Sequence, residues 1–269
     1  GWLPATFQGT AYRTAKTSLP DLVAPAEMSP AARSAQLTFL DKLNREQLRQ
    51  YPDNAELEAR ITSFETAARM QTAVPEALDL SQETESTKKL YGLDNPTTAE
   101  YGTRCLIARR LVERGVRFVQ LFLAGQPWDT HSKNAASLTN LCAKTDQPSA
   151  ALVLDLKQRG LLDRTIVLCG GEFGLLPISQ CQDGRDHNRH ANSVWFAGGG
   201  FKRGYCHGGT DDFGYKAIHD TLNVHDLHAT LLQTLGLDHV RLTYPHEGRE
   251  GSLTDVAITK AKPVTQLLA

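Results

Sequence analysis

No apolar run in this 269-residue chain approaches the roughly 20 residues that a helix needs to cross a bilayer, so no membrane span is expected. Neither sign of charge dominates. The 29 Lys and Arg against 30 Asp and Glu leave a net charge of −1, which excludes the broad positive field of a nucleic-acid binder or of a protein drawn to anionic lipid. Cysteine is scarce: five residues, an odd number, with no CxxC spacing. That excludes a disulfide framework and a thiolate-based structural zinc site. Cys105 and Cys169 lie in apolar runs and read as small core residues, whereas Cys181 and Cys206 lie in loop-like sequence and could pair. The start, "GWLPATFQGTAY", has neither the basic region nor the apolar core of a signal peptide. It opens in turn-rich sequence, as a processed or truncated chain would. Internal repeats and low-complexity tracts are also missing. What is present is ordinary for a globular protein, 41% hydrophobic and 22% charged residues, with length enough for one large domain or two small ones.

The first 130 residues contain no histidine and little chemistry. Residues 1–95 read as a loop-rich and helical segment that packs on a core made by residues 96–269. Pro4, Pro20, Pro25 and Pro30 punctuate the start. Ser29 followed by Pro30 is an N-cap with proline at the first helical position, and Leu37, Leu40, Leu43 and Leu48 recur at helical spacing after it. Asn54 caps a second helix with Leu57, Ile61, Phe64 and Ala68 on one face. "TAEYGTRCLIARRLVERG" predicts a third, closed by Gly115. The second half alternates. "VRFVQLFLA" (116–124), "TIVLCGG" (165–171) and "NSVWFAGGG" (192–200) are short, nearly continuous apolar runs, as in strands buried on both faces. Helical patterns cover 135–160, with Pro148 as a point of breakage, and 224–237, closed by Gly236. Strand, helix, strand, loop, strand, helix predicts an α/β layer fold with a mostly parallel sheet.

All nine histidines fall between residues 131 and 246. The first expected strand runs into "GQPWDTH", with Asp129 and His131; the second ends on Glu172; the third is preceded by "GRDHNRH", with Asp186, His187 and His190. In a parallel sheet the first two groups lie at the carboxyl ends of strands, where ligands bind. Carboxylates mixed with imidazoles suit Zn²⁺, Mn²⁺ or Fe; Ca²⁺ suits the imidazoles less well. Gly170, Gly171 and Gly174 around Glu172 leave room for a ligand to approach the backbone. Each piece also has a plain structural reading. Asp129 with His131 is a polar turn, Glu172 is an ion-pair partner for Arg185, and His187 and His190 are surface residues. His225 and His228 share a helix face and serve capping or packing as readily as ligation. His207, His219, His239 and His246 read as loop or surface residues, and Asp211 and Asp212 as turn residues in a glycine-rich loop.

Together "CLIARRLVERGVRFVQLF", "WDTH", "DQPSAALVLDLKQRGLLD", "GGEFG", "GRDHN", "WFAGGGFKRG", "GGTDDFGYKA", "VHDLHATLLQTLGLDH" and "LTDV" resemble a bacterial family of exported sulfatase-like proteins. That family, long labelled a domain of unknown function, belongs to the alkaline phosphatase superfamily. The resemblance implies an alkaline-phosphatase-like α/β fold, with a mostly parallel sheet flanked by helices. The chain would be a C-terminal fragment of that fold, carrying a helical N-terminal part. It also implies metals at the strand ends, and a periplasmic or secreted location. Asp129, His131 and His187 look like the ligands of one metal, and Glu172 like a ligand of the same or a second one. His190 or His228 would act as general acid or anion contact. The late helix with Asp226, Thr230 and Gly236 looks structural. Two departures stand out. The family's G-E-F-G-R-T-P reads "GEFGLLP" here, so Leu175 and Leu176 replace an arginine and a threonine. The superfamily's first strand, early aspartate and nucleophile would lie upstream of this chain.

The expected activity is therefore metal-dependent hydrolysis of a sulfate or phosphate ester, small-molecule or carbohydrate, with zinc or manganese ahead of calcium. The competing reading is a non-catalytic binding or scaffold protein with a degenerate site. A third is a carbohydrate-associated surface protein whose metal is structural.

Overall fold

The structure is a computed structural model and describes Gly9 together with residues 28–52, 54–181, 183–246 and 248–269. The breakers expected at Pro4, Pro20 and Pro25 lie outside the described residues. The chain divides into two compact units, the first ending at Thr84 and the second running from Glu85 to Ala269.

In the first unit, helix α1 (Pro30–Gln50) and helix α2 (Ala55–Leu78) start where the sequence places their caps. The Ser29 hydroxyl accepts the Ala32 amide at 3.2 Å, and Asn54 Oδ1 accepts the Leu57 amide at 2.9 Å, each satisfying an otherwise orphaned donor. Surface pairs such as Asp41–Arg45 at 2.9 Å lie one turn apart on α1 and contribute a few tenths of a kcal/mol at most. Burial is modest: α1 has no buried residue, and Ala59 and Ile61 are buried on α2.

The core of the second unit is a helix pair. Helix α3 (Glu85–Leu90) leads to α4 (Ala99–Glu113) and α5 (Asn134–Gln158). Cys105, Leu106 and Ile107 of α4 and Leu141, Ala151 and Leu156 of α5 are buried. Gly102 lets the Tyr91 carbonyl lie against α4, for a Cβ there would stand 2.2 Å from that oxygen. Charge is buried in the same core. Arg109 Nε meets Asp155 at 2.9 Å, Tyr91 donates its hydroxyl to Asp155 at 3.0 Å, and Arg159 reaches the same carboxylate at 2.7 Å. Burial, then the Asp155 charge, pushes the Tyr91 phenol well above its ordinary pKa. Pro148 does not interrupt α5; it is fully buried inside a continuous helix, so packing outweighs the lost backbone donor.

The expected parallel sheet is absent among the described residues, and with it the alkaline-phosphatase-like fold. The described residues form four separate two-stranded antiparallel sheets instead. Strands β1 (Val167–Gly170) and β4 (Val194–Ala197) pair with Val167 opposite Ala197. Strands β2 (Gly174–Leu175) and β3 (His187–Asn188) pair with Leu175 opposite His187. Strands β5 (Gly209–Thr210) and β6 (Ala217–His219) form a third pair, and β7 (Thr243–His246) and β8 (Arg249–Ser252) a fourth. The reason is connectivity. A parallel neighbour requires a crossover, usually a helix, and the described residues between β1 and β4 form no helix but the β2–β3 hairpin. The run 116–124 forms no strand; Phe118 and Phe122 are 80% and 67% exposed, and Arg104 donates to the Phe122 carbonyl. Apolar continuity there reflects an open surface rather than burial on both faces. Cys169, expected in the core, is exposed on β1, and all five cysteines are free thiols.

Helix α6 (Val224–Thr234) opens with a reciprocal capping box between Asn223 and Asp226. Asp226 Oδ1 also accepts the Lys262 amide at 2.9 Å, and Thr230 Oγ1 the Val264 amide at 2.9 Å. Asp226 and Thr230 thus tie the C-terminal tail to α6, a structural task. Helix α7 (Val256–Thr259) precedes that tail. No helix among the described residues is long and apolar enough to cross a membrane.

Candidate metal centre

Three side chains from two distant stretches converge. Asp129 Oδ1 lies 2.8 Å from His187 Nε2 and 3.1 Å from His131 Nε2, and the two Nε2 atoms are 3.2 Å apart. A tetrahedral zinc with ligand bonds of 2.0–2.1 Å places its ligand atoms about 3.3–3.4 Å from one another. The observed triangle needs to widen by only a few tenths of an ångström to meet that. One carboxylate oxygen and two imidazole nitrogens form a borderline donor set suited to Zn²⁺ or Mn²⁺, not the six to eight oxygens of calcium. All three residues are exposed, so the side facing solvent is open.

Backbone contacts assemble the triangle. His187 is on β3, and its ring lies against Phe173, with centroids 4.4 Å apart. The loop before β3 is fastened to the stretch after Asp129: the Arg185 amide donates to the Thr130 carbonyl and the Asn134 amide to the Asp183 carbonyl, each at 2.9 Å. Between those bonds Gly184 touches the His131 backbone, where a Cβ would stand 1.8 Å from the carbonyl oxygen. Thr130 is buried and gives its hydroxyl to Asn134 Oδ1 at 2.6 Å, which pins the turn between Asp129 and His131. Behind His187, buried Asn188 donates to the Tyr215 carbonyl at 3.0 Å and accepts the His190 amide at 2.8 Å. Asp186 Oδ1 stands 3.4 Å from His131 Nδ1, the ring nitrogen outside the triangle.

The other expected site residues stand elsewhere. Glu172 is exposed and outside the converging group. The glycines flanking it accommodate the protein's own chain: a Cβ on Gly170 would strike Val194 Cγ1 at 2.4 Å and one on Gly174 the Ala191 carbonyl at 1.9 Å. His190 is outside the group, its ring stacked 6.1 Å from Tyr215. His228 is exposed on α6, also apart from it. Asp211 is a turn residue, its carboxylate accepting the amides of Tyr215, Lys216 and Phe213 at 2.9, 3.0 and 3.1 Å. The contribution of Gly184, Phe173 and Asn188 is invisible in residue type alone, because it lies in which chain segments touch.

Residues 1–268 match the family described as "Protein of unknown function (DUF1501)". The chain belongs to that family. Its description carries no activity, and nothing in the match ties the chain to sulfatases or to the alkaline phosphatase superfamily. No curated protein and no solved structure matches the chain.

Proposed function

We propose that this member of the family is a metal-dependent hydrolase of sulfate or phosphate esters, with Asp129, His131 and His187 holding a divalent ion, zinc or manganese before calcium. The observation that supports it is the triangle of ligand atoms with edges of 2.8, 3.1 and 3.2 Å. Three protein ligands with an open side is the pattern of catalytic rather than structural zinc, which is closed by four. An ion held by these three residues would lower the pKa of a bound water to about 7 and polarise an ester oxygen. Thr130 is withdrawn from nucleophilic duty by its burial and its bond to Asn134, so the reading is one of water attack. His190 or His228 would protonate the leaving oxygen or contact the anion, and Glu172 would serve a second ion. An exported location, periplasmic or secreted, belongs to the same reading.

A second reading, a metal-binding scaffold without turnover, is favoured by two observations. Leu175 and Leu176 offer no anion contact beside β2, and His190 and His228 stand outside the triangle.

The test has two stages. Metal analysis and competition titration of the purified chain are expected to give one zinc or manganese per chain. Asp129→Ala, His131→Ala and His187→Ala are each expected to weaken binding about tenfold or more. Binding unchanged in all three ends both readings. A panel of aryl sulfates and aryl phosphates then separates them, since metal-dependent turnover supports the hydrolase and a loaded but inert protein the scaffold.

A further inference from the structure

We propose that Asp186 is a positioning residue: it holds His131 in the tautomer whose Nε2 is free to bind metal. This rests on the metal reading above for its consequence, though not for its first observable.

Asp186 Oδ1 lies 3.4 Å from His131 Nδ1, on the side of the ring away from Asp129 and His187. It does not join the converging group itself. Its side chain is 22% exposed, the most screened of the four acidic and imidazole groups, the others being 32–49% exposed. The residue is held by one bond to its carboxylate and two to its backbone. Oδ2 accepts the Gln180 amide at 2.8 Å, the Asp186 carbonyl accepts the Leu176 amide at 2.7 Å, and its own amide faces the Ile178 carbonyl at 3.5 Å. The backbone bonds Arg185 to Thr130 and Asn134 to Asp183 then carry the Asp186 loop onto the His131 turn. The pair is therefore brought together by chain geometry rather than by its own attraction.

A neutral imidazole carries a single ring proton. With that proton on Nδ1 facing a carboxylate, the Nε2 lone pair points to the triangle. In the other tautomer a lone pair would face the Asp186 carboxylate, and an N–H would occupy the position a ligand atom must fill. A carboxylate behind the ring disfavours the second arrangement and raises the ligand's basicity, while the Asp129 oxygen 3.1 Å from Nε2 takes its hydrogen bond from His187 Nε2 at 2.8 Å. His187 is oriented by different means, the Phe173 ring.

The experiment reads ring nitrogens directly. Long-range proton–nitrogen spectra of uniformly nitrogen-15-labelled protein, metal-free at pH 8, are expected to show His131 with its proton on Nδ1. Asp186→Asn is the informative variant, because its amide oxygen still accepts the Gln180 amide while the charge is lost. It is expected to shift His131 toward the Nε2 proton and to weaken zinc binding by about 10–100-fold, with unchanged thermal midpoint. Asp186→Glu is expected to restore the Nδ1 proton in part. A wild-type His131 protonated on Nε2, or an Asp186→Asn variant with wild-type tautomer and affinity, overturns the inference. The wild-type spectrum decides even if the variant misfolds. If wild-type protein binds no zinc, the metal reading fails, while the tautomer still upholds or overturns the role of Asp186.

Discussion

Gly184 and His131 touch through their backbones: a Cβ on Gly184 would stand 1.8 Å from the His131 carbonyl oxygen and 2.2 Å from its carbonyl carbon. The obstacle is main chain, so no side-chain rotation relieves it. Gly184→Ala is expected to push the loop 183–186 off the 130–134 turn, cost about 1–3 kcal/mol and weaken metal binding with it. Gly171→Ala is the control, because the nearest atom to its Cβ is the Phe173 carbonyl oxygen at 3.5 Å, an ordinary contact expected to cost under about 0.5 kcal/mol. Chemical denaturation and zinc titration of both variants decide. Equal effects would mean that the Gly184 contact does not shape the site.

The charge cluster in the α4–α5 core sets a second expectation. Asp155 faces Arg109 at 2.9 Å and Arg159 at 2.7 Å and accepts from Tyr91 at 3.0 Å. Removing this carboxylate takes the more buried of two acidic partners from the Arg109 guanidinium, which the half-exposed Glu113 at 2.7 Å offsets in part, and such a loss in the interior costs more than the pair contributes. Asp155→Ala is expected to lose about 3–5 kcal/mol, whereas breaking the exposed Asp163–Arg203 pair by Asp163→Ala is expected to lose under about 1 kcal/mol. Urea midpoints of the two variants give the comparison.

Thiol labelling probes the core from another side. Cys105 is buried, and burial pushes its pKa up to about 12. Cys169 is exposed, yet partial desolvation raises it too. Because the nucleophile is the thiolate, native protein is expected to label rapidly at Cys142, Cys181 and Cys206, more slowly at Cys169, and at Cys105 only on unfolding. A thiol raised in the folded state stabilises below its unfolded pKa of about 8.5 and loses that contribution as pH rises toward 12. Rapid labelling of Cys105 in native protein would contradict the packing of α4.

Acid acts on the β5–β6 turn. Amides of Tyr215, Phe213 and Lys216 hold the Asp211 carboxyl below its usual pKa. A depressed carboxylate contributes stability above its unfolded pKa, about 3.9, and loses it as pH falls through the folded value. The thermal midpoint of Asp211→Ala is therefore expected to lie below wild type at pH 6, with the gap closing under pH 4. A gap independent of pH would mean that the charge on Asp211 does not hold the turn.

The helices were legible for local reasons. Ser29 and Asn54 cap α1 and α2, and Asn223 caps α6, through bonds spanning three residues or fewer, so residue identity and spacing suffice to find them. Pro148 misled because its cost is local and its compensation is not: the residue is buried within α5 by packing from elsewhere. The runs 165–171 and 192–200 do contain strands, but an apolar run carries no information about the direction of its partner. The helix-free link between them turned a presumed parallel layer into the antiparallel pair β1–β4. The same logic removed the strand expected at 116–124, since the pattern of a strand cannot supply a partner for it.

By itself the amino-acid order determined where helices begin and which residue types were available for chemistry, a carboxylate and imidazole set rather than thiolates. Both follow from short-range bonding and from the side chains themselves. The family resemblance already grouped Asp129, His131 and His187, but only the tertiary structure brings their ligand atoms into a triangle and leaves Glu172, His190 and His228 outside it. That selection depends on two backbone bonds and one missing Cβ between segments about fifty residues apart. Contacts at that separation are set by how the chain closes, which no local pattern encodes.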